Sequence, residues 1–258
     1  MELVKPIVRL GNSAGVVLPK EWLHGEARIT LLKKPDNPKK AVLDIIEPYL
    51  SSIIGVYLVG SYARGEQAEK SDIDVLAITT SINKHLRRAN YDITLVSKDN
   101  LEATLKDNIL PLLPMIMEAS AVINAPLLAE YRKTPITKHN LKWHIETTKS
   151  ALKLAHISLQ LAKENKDRIS DNIAYSLVLR LRGAHIVDFL MKNKKTTTAT
   201  LRKLIEDVTG SLEIYNAYQR SKAGLRAKKV IPLKEVEALH SNIVRMIAEQ
   251  EKWIKRNG

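Results

Sequence analysis

Two kinds of periodicity divide this chain. Up to about residue 125 the apolar positions come in short runs with the period-2 or continuous pattern of strands, and from His139 onward they recur at helical spacing almost without interruption. In the first part, Lys5–Leu10, Gly15–Leu18 and Ala27–Leu32 read as short β-rich runs. They are broken by Gly11-Asn12-Ser13 and by Pro19-Lys20-Glu21-Trp22-Leu23, where a proline opens a helical turn. The polar stretch 33–40, with two prolines, reads as an interdomain linker. Ala41–Ile53 has helical spacing at Val42, Leu43, Ile45 and Ile46, and Pro48 is placed to kink or divide it. Val56-Tyr57-Leu58-Val59 is a buried-strand pattern, as are Ile73–Ile78 and Tyr91–Val96. Ser97 is a suitable N-cap for a helix to about Asp107, and Ala121–Asn124 reads as a closing strand. Helices are expected over about 139–165, 171–193, 197–208, 211–226 and 232–256. The expected architecture is α+β: a β hairpin module over 1–34, a mixed-sheet domain over 40–126 and an all-α bundle over 137–258.

The chemistry concentrates at Gly60–Asp74, reading GSYARGEQAEKSDID. The strand ends at Gly60-Ser61, where small residues let backbone N–H groups and a hydroxyl approach an anion closely. If Tyr62–Arg64 open a helical turn, its field also favours phosphate. Period-2 geometry then points Asp72 and Asp74 to one face while Ile73 and Val75 face the core. Side-by-side carboxylates repel, and a divalent cation relieves the repulsion. Hard oxygen ligands of this kind suit Mg²⁺ or Mn²⁺. Asp92, at the head of the next strand, supplies a third carboxylate, enough for a two-metal clamp. A Gly-Ser turn and an Asp-x-Asp taken separately would be ordinary surface features of a βαβ corner.

Together, the strand, Gly60-Ser61, a ten-residue spacer with Ala63-Arg64-Gly65, Ser71-Asp72-Ile73-Asp74 and the strand headed by Asp92 resemble the DNA polymerase β-type nucleotidyltransferase superfamily, and within it the minimal nucleotidyltransferase group. The resemblance covers roughly Lys40–Ala125. It implies that Gly60 and Ser61 hold the β- and γ-phosphates of a nucleoside triphosphate, with ATP the expected one. It implies further that Asp72 and Asp74 bind both Mg²⁺ ions, and that Asp92 ligates the ion beside the attacking hydroxyl and helps deprotonate it. Arg64, Lys70 and Ser71 are candidate nucleotide contacts in the same pocket. The implied reaction is in-line attack at the α-phosphorus with release of pyrophosphate, leaving a nucleotide on a hydroxyl of a protein, an RNA or a small molecule.

The N-terminal wording IVRLGNSAGVVLPKEWLHGEARITLL looks like the AbrB-type swapped-hairpin family of DNA-binding and antitoxin proteins, over roughly residues 3–34. About thirty residues do not bury a core alone. The resemblance implies a homodimer of interleaved hairpins with Arg9, Asn12 and Ser13 near a DNA-facing loop. The competing reading is a dimerisation module that does not bind DNA. The C-terminal helices resemble, more loosely, the helical appendages of nucleotidyltransferases and the HEPN bundles. Arg180 and His185 have the spacing of a HEPN ribonuclease pair, but positions five apart on a straight helix diverge by roughly 140°. Packing or a phosphate contact is the favoured reading.

Charge sharpens the choice of partner. The formal net charge is +13, but residues 1–130 hold 15 Lys+Arg against 16 Asp+Glu, while residues 131–258 hold 26 against 12. The surplus belongs to the helical half, which points to a polyanion: RNA, DNA or a protein with an acidic surface. Solvated helix faces are the plainer explanation. Lys192–Lys195 and Arg220, Lys222, Lys228 and Lys229 are local clusters, and Arg220 and Lys222 are the candidate nucleic-acid contacts. A cationic small-molecule acceptor fits this half less well. Trp143, Trp253, Tyr175, Tyr215 and Tyr218 read as packing residues, with base stacking an option for Tyr215 and Tyr218 beside Arg220. His139, His144 and His156 show no metal-ligand clustering with acids and read as surface or core histidines. With no Cys, no run of 18 apolar residues and no signal-peptide start, disulfide and membrane-spanning classes are excluded and the cytoplasm is the default compartment.

Two functions therefore stand from sequence. One is an Mg²⁺-dependent nucleotidyltransferase. The other is a DNA-binding regulator or antitoxin that uses the N-terminal module, with the nucleotidyltransferase fold as sensor or neutraliser of a partner toxin.

Overall fold

A computed structural model describes residues 3–30, 38–67, 71–165, 170–194, 196–225 and 231–257. The chain divides into two compact units, Met1–Asn37 and Pro38–Gly258.

In the first unit, β1 (Ile7–Leu10) and β2 (Ser13–Val16) form an antiparallel hairpin in which Ile7 faces Val16 and Leu10 faces Ser13. A 3₁₀ turn at Lys20–Trp22 follows Pro19, as the proline predicts. Ala27–Thr30 is not a strand, in contrast to the expected third β run, whose Leu31 and Leu32 lie outside the described residues. Lacking a partner strand, its apolar residues have no ladder to join. No residue of 3–30 is buried.

The second unit is α+β. Its helix α1 (Pro38–Ile46) ends where Pro48 enters a 3₁₀ turn, Glu47–Ser52. Strand β3 (Ile53–Val59) leads into the one-turn helix α2 (Gly60–Arg64), and β4 (Ile73–Thr79), β5 (Lys84–Arg88) and β6 (Tyr91–Ser97) follow. After α3 (Lys98–Asp107) and α4 (Leu113–Glu118), β7 (Ser120–Ile123) completes a five-stranded sheet of order β5-β6-β4-β3-β7. Strands β4 and β6 run parallel, and the other neighbours pair antiparallel. Ser97 caps α3, its hydroxyl accepting from the Asn100 N–H, as its position predicts.

Strand β5 was not expected, because Lys84-His85-Leu86-Arg87-Arg88 carries one apolar residue in five. As an edge strand it needs an inward residue only at Leu86, and its charges protect the open edge.

Both faces of the sheet are covered, which is why its central strands read as continuous apolar runs. One face packs Val56, Leu58, Val75, Ala77, Ile93 and Leu95 against Val42 and Ile46 of α1. The other packs Tyr57, Val59, Leu76, Ile78 and Val96 into a core that continues through α3 and α4 and across the C-terminal helices. Those helices are α5 (Ala125–Tyr131), α6 (Lys138–Asn165), α7 (Asp171–Met191), α8 (Thr198–Thr209), α9 (Glu213–Lys222) and α10 (Leu233–Asn257). One core thus spans sheet and helices. Among the described residues no helix is long and apolar enough to cross a membrane.

Candidate active site

Sheet order and register bring the sequence motif together at one end of the central strands. Val59 pairs with Asp74 across β3–β4, and Asp74 pairs with Asp92 across β4–β6. Asp72, Asp74 and Asp92 occupy the same alternating rows as Leu76, Ile78 and Val96, and so point toward the face that carries α3, α4 and the C-terminal helices. Where those rows run past the apolar core, carboxylates replace aliphatic side chains.

The turn after β3 needs glycine. Gly60 has φ +67°, and a Cβ there would fall on the Asp74 carboxylate. Both conditions exclude larger residues. Ser61 follows in the first turn of α2, partly exposed, and Ser71 is likewise partly exposed just ahead of Asp72. Lys70 lies outside the described residues.

The electrostatics of the acids follow from their crowding. Burial is the main cause that raises the Asp74 pKa above its ordinary value, followed by the charges of Asp92, Asp72 and Glu118, with Arg64 opposing them. Asp72 and Asp92 are more open and face side chains of β5: Arg87 Nη2 lies 3.6 Å from Asp72 Oδ2, and His85 Nε2 lies 3.4 Å from Asp92 Oδ1. Exposed pairs of this kind are worth at most about 1 kcal/mol and yield readily to a stronger ligand. Among the described residues no three His, Asp or Glu side chains stand, as arranged, close enough to hold a metal ion.

Glu118 was not singled out by the sequence. The last residue of α4, it sits across β3 from Asp74, because β7 pairs with the opposite edge of β3. Its Oε1 accepts from the Gly60 N–H at 2.7 Å and its Oε2 from Arg64 Nη1 at 2.6 Å. Arg64 also donates from Nε to Glu66 at 2.7 Å. Arg132 fixes the segment, donating to the carbonyls of Ile116 at 3.1 Å and Ala119 at 2.6 Å. No local spacing in the sequence marks the glutamate.

The remaining candidates lie elsewhere. Arg9, Asn12 and Ser13 are exposed in the N-terminal hairpin, with Arg9 Nε donating to Gly11 O and Ser13 Oγ to Leu10 O. Arg220 is turned inward, Nη2 lying 3.6 Å from Asp171 Oδ2, whereas Lys222 at the end of α9 is exposed. Lys195, Lys228 and Lys229 lie outside the described residues. Arg180 and His185 take different partners on α7: Arg180 Nη1 reaches Thr147 Oγ1 at 3.5 Å, and His185 Nε2 contacts Thr200 Oγ1 at 3.1 Å. Tyr215 and Tyr218 are buried, Tyr218 stacking on Tyr175 and meeting Tyr215 at a tilt, as packing residues do. Trp143, expected inside, is 55 % exposed on the outer face of α6.

The sheet, the glycine turn and the row of acids define a nucleotidyl-transfer fold. Residues 39–178 match the nucleotidyltransferase domain model, and the chain belongs to that family. It is a nucleotidyltransferase. No curated protein sequence matches it. Among solved structures it is similar to a nucleotidyltransferase-like protein from Exiguobacterium sibiricum 255-15 (13% identity, 83% of this chain and 76% of that one, TM-score 0.40). It is also similar to spectinomycin adenyltransferase AAD(9) from Enterococcus faecialis, in a structure with ATP and spectinomycin (11%, 83% and 100%, TM-score 0.43). A toxin-antitoxin structure with AMP-PNP matches a shorter part (17%, 36% and 79%, TM-score 0.26).

Proposed function

We propose that the protein transfers a nucleoside monophosphate from a nucleoside triphosphate, ATP in the first instance, to a hydroxyl group, with Mg²⁺ or Mn²⁺ held by Asp72, Asp74 and Asp92. The observation that carries this reading is the register that sets Asp92, Asp74 and Gly60 side by side at one end of the central strands. By chemistry the three carboxylates suit a hard divalent ion, one of them held partly buried against its neighbours' charge, and their side chains draw together from the present arrangement to hold it. When bound, the ions neutralise that charge and the charge on the phosphates. Gly60 and Ser61 bind the β- and γ-phosphates, Arg64 and Ser71 flank them, and Asp92 accepts the proton of the attacking hydroxyl. The helical half, which carries the basic surplus, favours an RNA or an acidic protein surface as acceptor.

The test is incubation with each α-³²P-labelled triphosphate and Mg²⁺, in the presence of total RNA or cell lysate, for wild type and Asp74→Asn. Label in an acceptor band with the wild type alone supports the reading. No label together with no triphosphate binding by calorimetry removes it.

A second role rests on the N-terminal unit. Residues 3–30 bury none of their apolar side chains, and Val4 and Leu23 are 76% and 68% exposed. A hairpin of this kind gains its core by pairing with a second copy, which makes the protein a homodimer, with Arg9, Asn12 and Ser13 free to contact DNA. Duplex binding that weakens steeply with salt and is indifferent to Asp74→Asn is the expected signature.

A further inference from the structure

The two donors expected to receive the triphosphate, the Gly60 N–H and the Arg64 guanidinium, are both taken by one carboxylate. Glu118 accepts from Gly60 at 2.7 Å and from Arg64 at 2.6 Å, and only 13% of its side chain is exposed. Both bonds are charge-assisted or short, and a carboxylate offers the same kind of oxygen pair as a phosphate. Glu118 also adds its charge to the group that raises the Asp74 pKa, so it opposes any further anion at this end of the sheet. Its other side borders a narrow crevice lined by Pro114, Met117, Ile186, Leu190, Lys194 and Thr196, where α4 meets α7 and the segment after it.

We infer that Glu118 is an internal counter-anion that closes the phosphate-binding turn in the free enzyme, and that a polyphosphate binds by displacing it from Gly60 and Arg64. The inference rests on the phosphate role given to Gly60 in the proposed function. The displaced carboxylate has the crevice beside Lys194 to turn toward. Arg64, still held through Nε by Glu66, then turns the Nη1 released by Glu118 to the phosphates. Glu118 is thus a positioning residue that sets nucleotide affinity without touching the reacting atoms.

A purely structural Glu118 predicts the opposite sign of effect. Removing a support would loosen the turn and weaken phosphate binding, whereas removing a competitor strengthens it. In Glu118→Gln the amide oxygen still accepts from Gly60, but its NH₂ cannot accept from Arg64.

The experiment measures binding of two probes to the full chain by calorimetry, for wild type, Glu118→Gln and Glu118→Asp, with folding checked by circular dichroism. The first probe is metal-free tripolyphosphate, which reports on the turn alone, and the second is ATP with Mg²⁺. The expected result is about tenfold tighter tripolyphosphate binding by Glu118→Gln, with a lower KM for the triphosphate and little change in kcat. Glu118→Asp, too short by one methylene to span both donors, is expected to bind tripolyphosphate more tightly than wild type as well, and decides the matter if the Gln variant does not fold. Tripolyphosphate bound equally, more weakly or by none of the proteins overturns the inference. If the variants gain tripolyphosphate affinity while none binds ATP with Mg²⁺, the transferase reading fails and the displacement stands. If all bind ATP with Mg²⁺ equally, the displacement fails and the transferase reading stands.

Discussion

The Asp74 carboxylate lies against Gly60 so closely that the space of a Cβ on residue 60 is already filled by it. The contact ties the phosphate turn to the acid row, since the same absence of a side chain that frees the Gly60 backbone also lets Asp74 stand upright beside it. Gly60→Ala therefore suffers twice: an L-residue at φ +67° costs about 1–2 kcal/mol, and Asp74 must move. The expected outcome is a drop of several degrees in Tm and a loss of at least about 100-fold in kcat/KM, because an ångström of misplacement costs that much in a positioned reaction. A variant that melts lower but turns over normally would show that the contact is structural only.

Asp74 also makes a stability prediction opposite in sign to its catalytic one. Its folded-state pKa is raised, first by burial and then by Asp92, Asp72 and Glu118. The fold therefore holds that proton more tightly than the unfolded chain does. Its contribution is full below the unfolded value of about 3.8 and is lost as pH rises through the folded one. At neutral pH the charged form is a burden, so Asp74→Asn is expected to melt about 2–4 °C higher while losing turnover. ATP with Mg²⁺ at about 100 times its Kd should add about 2.7 kcal/mol to the wild type and nothing to the variant. Thermal melts with and without Mg²⁺, ATP and EDTA read both effects, and a destabilised Asp74→Asn would remove the electrostatic argument.

How much of this was legible depends on whether a feature is local. Gly60-Ser61, Asp72 and Asp74 sit within fifteen residues, and Ser97 declares the α3 cap through its own position. The long helices announce themselves by period, and α6 and α10 begin within one residue of where spacing puts them. Asp92 was readable because the head of an apolar run is a strand start. Glu118 was not, since its partners Gly60 and Arg64 are 58 and 54 residues away and are reached only through the order β4-β3-β7. His85 and Arg87 were missed for a related reason. An edge strand needs so little apolar sequence that Lys84–Arg88 reads as a loop, yet it faces the acids with an arginine and a histidine.

The helical core contains a buried histidine with its own pH signature. His144 is 3% exposed, its Nε2 lies 3.3 Å from Gln250 Oε1, and Gln250 Nε2 donates to the carbonyl of Ala184 at 2.8 Å and to Asp188 Oδ1 at 2.7 Å. Burial is the main cause that lowers its pKa from 6.5 to about 4, Arg180 adding to the shift and the Gln250 bond opposing it. The unfolded chain thus binds the proton more readily, and stability is lost as pH falls from about 6.5 to about 4. The loss amounts to about 3 kcal/mol on the acid side. Urea unfolding at pH 7 and pH 4 should show it in the wild type, and His144→Gln should flatten that part of the pH profile. An unchanged profile in the variant would place the acid sensitivity elsewhere.

The N-terminal hairpin can be tested by the same separation of what an isolated chain needs from what an assembly needs. Val4 and Val17 are 76% and 62% exposed, so within the single chain Val4→Glu and Val17→Glu remove almost no buried area and are expected to leave its melting unchanged. If two hairpins bury these side chains against each other, the introduced carboxylates meet an apolar interface, each at a cost of several kcal/mol. Light scattering after size exclusion should then give twice the chain mass for the wild type and the single-chain mass for the double variant. Turnover at Gly60, Asp74 and Asp92 should persist in that monomer, because those residues belong wholly to the unit that begins at Pro38. A wild type of single-chain mass at micromolar concentration would remove the pairing and leave the exposed hairpin for a different partner.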